Sequence, residues 1–119
     1  MIGFTKEEGL VYTTRFINHP EFDKHFRDNW NTCAPISLFG KESNLISEED
    51  VKYANNPKES YTFTDGEIEL ADLTTLFTDA NFALSSHRVA KHLPQRNMHV
   101  YKYVFSYRGQ KTNNIINKF

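Results

Sequence analysis

The sequence predicts an α/β protein that carries a helical block followed by one C-terminal strand. Phe22, Phe26 and Trp30 recur at the i, i+4, i+8 spacing of one helix face. Residues 101–107 instead place an aromatic side chain at every second position, which is the period of a strand. A single strand leaves backbone donors and acceptors unpaired on both edges and needs neighbours. We therefore expect an incomplete sheet, in a chain that is a segment of a larger α/β protein.

Length and composition narrow the class further. The 119 residues suffice for one domain, and nothing in them indicates an internal boundary, so residues 1–119 are predicted to form one unit. Ten phenylalanines supply a core, and the net charge of −1 gives no electrostatic basis for binding nucleic acid. No apolar run approaches the roughly 20 residues of a membrane span, and no secretory signal pattern opens the chain. Compartment and oligomeric state are left open.

Residues 3–10, which read GFTKEEGL, fit the start of a helix. Thr5 and Glu8 have the spacing of a capping box, in which each side chain accepts a hydrogen bond from the other residue's backbone. Gly9 does not suit this interpretation, because glycine in a helix costs about 1 kcal/mol. Residues 10–18 are rich in β-branched and aromatic side chains and suit either an extended segment or a short helix.

Two helices are predicted in the first half of the chain. The first begins at Pro20 after a cap at Asn18 or His19 and ends by Ala34-Pro35, because proline disfavours a helical residue before it. The second begins after Ser47, with an acidic residue three positions later, and ends at Asn55-Asn56-Pro57.

The second half is predicted as a loop, two helices, a turn and the strand. The loop covers residues 57–67, and a helix begins near Asp65 with Ile68, Leu73, Leu76 and Phe77 on its apolar face. Thr78 or Asp79 caps the next helix, which ends at Pro94. A turn at residues 95–97 precedes the strand, which Gly109 ends. The last ten residues show no pattern.

Few residues suggest chemistry on their own. Cys33 is the single cysteine, so it forms no disulfide within the chain, and we expect a small buried side chain rather than a nucleophile. No H-x-x-x-H pair occurs, and the histidines are too scattered for metal-ligand spacing; they are His19, His25, His87, His92 and His99. His87 falls within a predicted helix, where a packing or surface role is expected. We predict no metal and no cofactor.

Four motifs, in order along the chain, resemble the type-B carboxylesterase family, most closely its insect α-esterase and juvenile-hormone-esterase-like members. They are Gly3, Glu8 and Gly9 in IGFTKEEG, the DNWNTCAPI stretch at residues 28–36, Thr78-Asp79 with Phe82, and VYKYVFSYRG at residues 100–109. The resemblance covers nearly the whole chain.

The resemblance implies an α/β-hydrolase fold, of which this chain is a segment from the C-terminal half. Members cleave carboxylic esters with a Ser, Glu and His triad, and Glu8 takes the position of the acid, on a loop that follows a strand and turns the carboxylate toward the histidine. The chain contains no G-x-S-x-G motif, no glycine-rich oxyanion loop and no G..H block that would supply the catalytic histidine. The complete enzyme would act on a small-molecule ester without a cofactor, and this chain alone is expected to be inactive.

Two alternatives stay open on the sequence. The chain could be a segment of a non-catalytic, cholinesterase-like adhesion homologue, which uses the same scaffold to bind proteins. It could also be a self-contained small helical domain. Retention of Glu8 favours the enzyme over the adhesion homologue.

Overall fold

The structure is a computed structural model, and it describes residues 1–56, 61, 63–64, 67–96 and 98–107. Within them, the strands and α-helices in chain order are β1 (Ile2–Thr5), α1 (Leu10–Asn18), α2 (Pro20–Asp28), α3 (Trp30–Phe39), α4 (Glu48–Asn55), β2 (Phe63–Thr64), β3 (Glu67–Ile68), α5 (Leu70–Thr78), α6 (Leu84–His92) and β4 (Lys102–Phe105). A π-helical turn, Asp79–Ala83, joins α5 directly to α6. None of the described helices is long and apolar enough to cross a membrane.

The two ends of the described chain meet in a parallel pair of strands. β1 pairs with β4 in a register that sets Ile2 opposite Lys102 and Thr5 opposite Phe105. Parallel strands need a long crossover, which the helices supply here. The residue patterns alone predict only the C-terminal strand, and β1 corrects that prediction. The family resemblance implies a loop after a strand at Glu8, and β1 followed by a turn agrees with it. β1 escaped detection because four residues that include a glycine carry too little alternation, and because its partner lies about 100 positions away.

The stretch GFTKEEGL is not a helix start at Thr5, as the capping box had predicted. Thr5 is the last residue of β1, and α1 begins only at Leu10, after a turn. The Lys6 N–H donates to the carbonyl of Phe105 at 2.9 Å, so hydrogen bonding to β4 continues past Thr5. One half of the capping box is present, since the Thr5 N–H donates to the Glu8 carboxylate. Residues 10–18, which suited either conformation, are helical.

The single helix predicted from Pro20 to Ala34-Pro35 is two helices that meet at Asn29. Both the backbone N–H and the side-chain amide of Asn29 donate to the carbonyl of His25, which ends α2. The carbonyl of Asn29 then accepts from the N–H groups of Thr32 and Cys33, which starts α3. Asparagine readily makes such local side-chain bonds, and these compete with a continuous helix.

Pro35 does not end its helix, which corrects the predicted boundary. α3 continues to Phe39 and ends at Gly40, whose φ of 66° is the left-handed conformation common after a helix. Proline removes one backbone donor from the helix interior. The ring of Pro35 is fully buried, and this burial offsets part of that cost.

The predicted boundaries of the later helices are confirmed at α4 and corrected at α5 and α6. The hydroxyl of Ser47 accepts from the Asp50 N–H, and the Asp50 carboxylate accepts from the Ser47 N–H, so the capping box before α4 is complete. α5 begins at Leu70 rather than near Asp65, which lies outside the described residues, and Ile68 belongs to β3. Neither Thr78 nor Asp79 caps a separate helix, because the chain stays helical through both residues.

The predicted loop at residues 57–67 lies largely outside the described residues, except that β2 and the start of β3 fall within it. Pro94 follows α6 within a 3-10 turn, Leu93–Arg96, so the expected end of that helix is confirmed.

An aromatic cluster forms the core between α1, α2 and α5. The rings of Phe16 and Phe26 lie 5.0 Å apart, and the Phe77 ring lies 6.2 Å and 6.1 Å from them. Each such pair contributes about 0.5–1.5 kcal/mol beyond its area burial. Of the predicted stripe, Phe26 is buried and Trp30 packs against the core, whereas Phe22 is 41% exposed and reaches it through the Phe16 ring.

Candidate functional site

Glu8 lies on the turn that follows β1. In open α/β sheets, this edge beyond the carboxyl ends of the strands is where ligands and catalytic residues gather. The side chain is half-buried, and its Oε1 accepts the Thr5 N–H at 2.9 Å. The backbone carbonyl of Glu8 accepts the Val11 N–H at 3.2 Å and so begins α1. Among the described residues, the carboxylate makes no second hydrogen bond, which leaves Oε2 open to a donor.

The next residue, Gly9, fixes the turn against α5. Its buried N–H donates to the hydroxyl of Thr78 at 2.9 Å. A Cβ at Gly9 would overlap the carbonyl oxygen of Thr74 and lie 3.0 Å from the Cβ of Phe77. Glycine is required here by close packing and not by conformation, since its φ of −59° is ordinary.

Three buried threonines, Thr13, Thr74 and Thr78, form what we call the threonine ladder between α1 and α5. A hydroxyl has one proton to donate. The Thr78 hydroxyl donates to the carbonyl of Thr74 at 2.8 Å, so it is an acceptor toward Gly9. The Thr74 hydroxyl donates to the carbonyl of Leu70 at 2.9 Å, so in the 2.8 Å pair with Thr13 the donor is Thr13, whose hydroxyl also lies 3.3 Å from the carbonyl of Gly9. The ladder is thus satisfied, as buried polar groups require.

Two cavities flank the parallel strands. The first, of about 430 Å³, lies beside the turn and is lined by Lys6 and Glu7 on one side and by Thr75 and Asp79 on the other. The second, of about 480 Å³, lies where α6 faces β4 and is lined in part by His87, Lys102 and Asp79. Glu8 lines neither cavity. Asp79 accepts a hydrogen bond from the Tyr61 hydroxyl at 2.8 Å.

The structure brings none of the five histidines to Glu8; all five lie in the described part of the chain, and none hydrogen-bonds its carboxylate. His87 lies on α6, in a helix as predicted, with its Nδ1 3.3 Å from the Lys102 ammonium. No group of three His, Cys, Asp or Glu side chains that could hold a metal ion occurs among the described residues.

Cys33 is half-buried and packs against the core. Burial raises the pKa of its thiol, which disfavours the thiolate that a nucleophile requires.

The threonine ladder is not predictable from the sequence. The signal for it is weak, because Gly9 and Thr13, like Thr74 and Thr78, are small residues four positions apart on one helix face. Such spacing permits two helices to approach closely, but it does not reveal which helices meet.

No curated protein and no solved structure matches the chain. The model of the carboxylesterase family matches residues 1–118, which is nearly the whole sequence. The match to this family links the chain to the hydrolysis of carboxylic esters. It has a helical crossover between two parallel strands, and it belongs to the carboxylesterase family.

Proposed function

We propose that Glu8 is the acid of a Ser, Glu and His triad in a serine esterase of the type-B group. The observation that carries the proposal is the placement of its carboxylate. Glu8 follows a parallel strand, and its turn is held by hydrogen bonds to Thr5 at one end and to Thr78, through Gly9, at the other. One carboxylate oxygen accepts the Thr5 N–H, and the other accepts no hydrogen bond from the residues that the structure describes.

In this role the second oxygen of Glu8 accepts the N–H of the catalytic imidazole. The hydrogen bond fixes the tautomer, and the negative charge stabilises the imidazolium that forms when the serine loses its proton. A neutral amide in the same place would orient the ring without stabilising that charge. The present sequence contains no G-x-S-x-G motif, so the nucleophile, and with it the base, are supplied by other parts of the domain.

We further propose that the chain is a segment from the C-terminal half of an α/β-hydrolase domain. The exposure of β4 supports this. Parallel strands in α/β proteins are buried on both faces, yet Tyr103, Val104 and Phe105 are each at least 50% exposed. The apolar strand therefore has the composition of a buried one without a covering layer. The likeness to insect α-esterases rests on the motifs at residues 78–82 and 100–109, and nothing in the described residues favours the adhesion alternative.

A transplant tests the role of Glu8. Residues 1–107 replace the corresponding segment of an active carboxylesterase, and ester hydrolysis is measured for the chimera and two variants. We expect Glu8→Gln to lower kcat by about 10⁴-fold, the effect seen for triad acids. The matched control Glu7→Gln changes the neighbouring carboxylate and should stay within about threefold. Circular dichroism confirms that the chimeras fold, and a folded Glu8→Gln chimera with undiminished kcat would refute the assignment.

A dye tests the exposed strand. We expect the isolated chain to bind a hydrophobic fluorescent dye at neutral pH, because β4 presents apolar side chains to solvent. The double variant Tyr103→Lys and Phe105→Lys should reduce dye binding by more than half. The control double variant Val11→Lys and Leu45→Lys changes two exposed side chains away from β4 and should not reduce it. A monomeric chain that binds no dye would contradict the segment proposal.

A further inference from the structure

The hydroxyl of Thr78 occupies an unusual position, because it accepts a hydrogen bond from a residue 69 positions away in the sequence. Its own proton is committed to the carbonyl of Thr74, so it presents only lone pairs to the Gly9 N–H. The bond is buried, and Thr78 is 2% exposed. Thr78 is therefore the hydrogen-bond partner of the Gly9 N–H among the described residues.

The geometry of the peptide links this bond to Glu8. The Gly9 N–H and the Glu8 carbonyl belong to one planar peptide unit. When Thr78 fixes the direction of the N–H, it fixes the backbone of Glu8 on its C-terminal side. The Thr5 N–H holds the carboxylate from the other side. Two restraints then act on one side chain, one through the backbone and one through the carboxylate.

We propose that Thr78 is a positioning residue for Glu8, and that the threonine ladder fixes the direction in which the carboxylate points. The proposal rests on the proposed function in one respect only, which is that the positioned carboxylate serves as the triad acid. Thr13 and Thr74 bond each other between α1 and α5, but neither hydroxyl bonds the Gly9 N–H, so they support the position of Thr78 and do not replace it.

Amide hydrogen exchange on the isotopically labelled full chain tests the positioning. Thr78→Val has nearly the same shape but offers no acceptor. We expect it to accelerate exchange of the Gly9 amide by about tenfold or more, and of the Thr5 amide by a smaller but measurable factor. Thr78→Ser keeps the hydroxyl and should restore both rates to within about twofold.

Two controls separate positioning from general stability. Thr75→Val removes a hydroxyl on the same helix that bonds the carbonyl of Ala71 in an exposed position, and it should leave both amides unchanged. The amide of Phe26, in the aromatic core, reports overall opening. If Thr78→Val accelerates Phe26 as much as Gly9, or leaves Thr5 unchanged, the proposal is overturned.

The same variants in the chimera test the catalytic consequence. We expect Thr78→Val to lower kcat by about tenfold with KM nearly unchanged, and Thr78→Ser to recover it. A folded Thr78→Val chimera with full kcat overturns the inference while Glu8 stays catalytic. If Glu8→Gln is fully active instead, the proposed function fails, although the exchange result for Gly9 and Thr5 still decides whether Thr78 fixes the turn.

Discussion

Gly9→Ala tests the close packing of α1 on α5. The new Cβ would overlap the carbonyl oxygen of Thr74 and lie 2.9 Å from its carbonyl carbon, atoms that cannot rotate away as a flexible side chain can. Overpacking costs about 3 kcal/mol at the upper end of its range. Separation of the helices also weakens the Gly9–Thr78 hydrogen bond, by about 1 kcal/mol. Alanine returns about 1 kcal/mol by restricting the unfolded chain, so we expect a net loss of about 3 kcal/mol.

Urea unfolding followed by circular dichroism measures this loss, which corresponds to a fall in Tm of roughly 10 °C for a chain of this size. Gly40→Ala is the matched control, because Gly40 has a φ of 66° and no atoms near its Cβ position. It should cost about 1 kcal/mol, from conformation alone. A Gly9→Ala variant that loses no more stability than Gly40→Ala would refute the packing argument.

Three further predictions concern the core and the ionisable groups. Phe77→Ala should lower the free energy of unfolding in urea by about 3–5 kcal/mol, because the Phe77 ring is 1% exposed and contacts three other aromatic rings. A loss under about 1 kcal/mol would contradict the assignment of the core. The pKa of Asp50 is held below its usual 3.8, first by the backbone N–H of Ser47 and then by the Ser47 hydroxyl. The stability that this carboxylate contributes is therefore present above about pH 4 and is lost as the pH falls through the lower pKa of the folded state. Ser47→Ala keeps the N–H and should raise that pKa only part of the way, which an NMR titration measures. Burial, and then the hydrogen bond to Asp79, raise the pKa of Tyr61. The contribution of Tyr61 to stability is therefore present below about pH 10 and is lost as the pH rises from there through the raised pKa. Asp79→Asn should lower that pKa without restoring the usual value, as measured by phenolate absorbance.

Local chemistry decided which elements could be predicted from the sequence. The capping box at Ser47 and Asp50 uses residues three positions apart, so its spacing reports the helix start directly. Asn29 carries no comparable signal, because asparagine occurs in many settings and the bonds that break the helix there depend on the neighbouring turn. The predicted helix end at Ala34-Pro35 is wrong for a related reason, because the ring of Pro35 is buried in the fold and burial is not visible in the sequence.

Contacts between distant segments decided what could not be predicted. β1 is a strand because it pairs with β4 across nearly the whole chain, and the capping-box spacing of Thr5 and Glu8 gave no indication of that partner. Glu8 itself was identified by resemblance and not by periodicity. The sequence predicts a helix cap at Thr78 or Asp79, whereas the Thr78 hydroxyl bonds its own helix and Gly9.

The π-helical turn Asp79–Ala83 lets one continuous helical segment contact two different elements, α1 and β1. Each residue of an α-helix advances the side chains by about 100°, and a π-helical turn holds one residue more than an α-helical turn does. The extra residue rotates the phase of α6 relative to α5, so that α5 faces α1 while α6 contacts β1. Deleting a single residue within the turn would restore the α-helical phase and swing the sheet-facing side of α6 by about 100°. The additional residue therefore sets the side of α6 that contacts β1 without changing the side of α5 that faces α1.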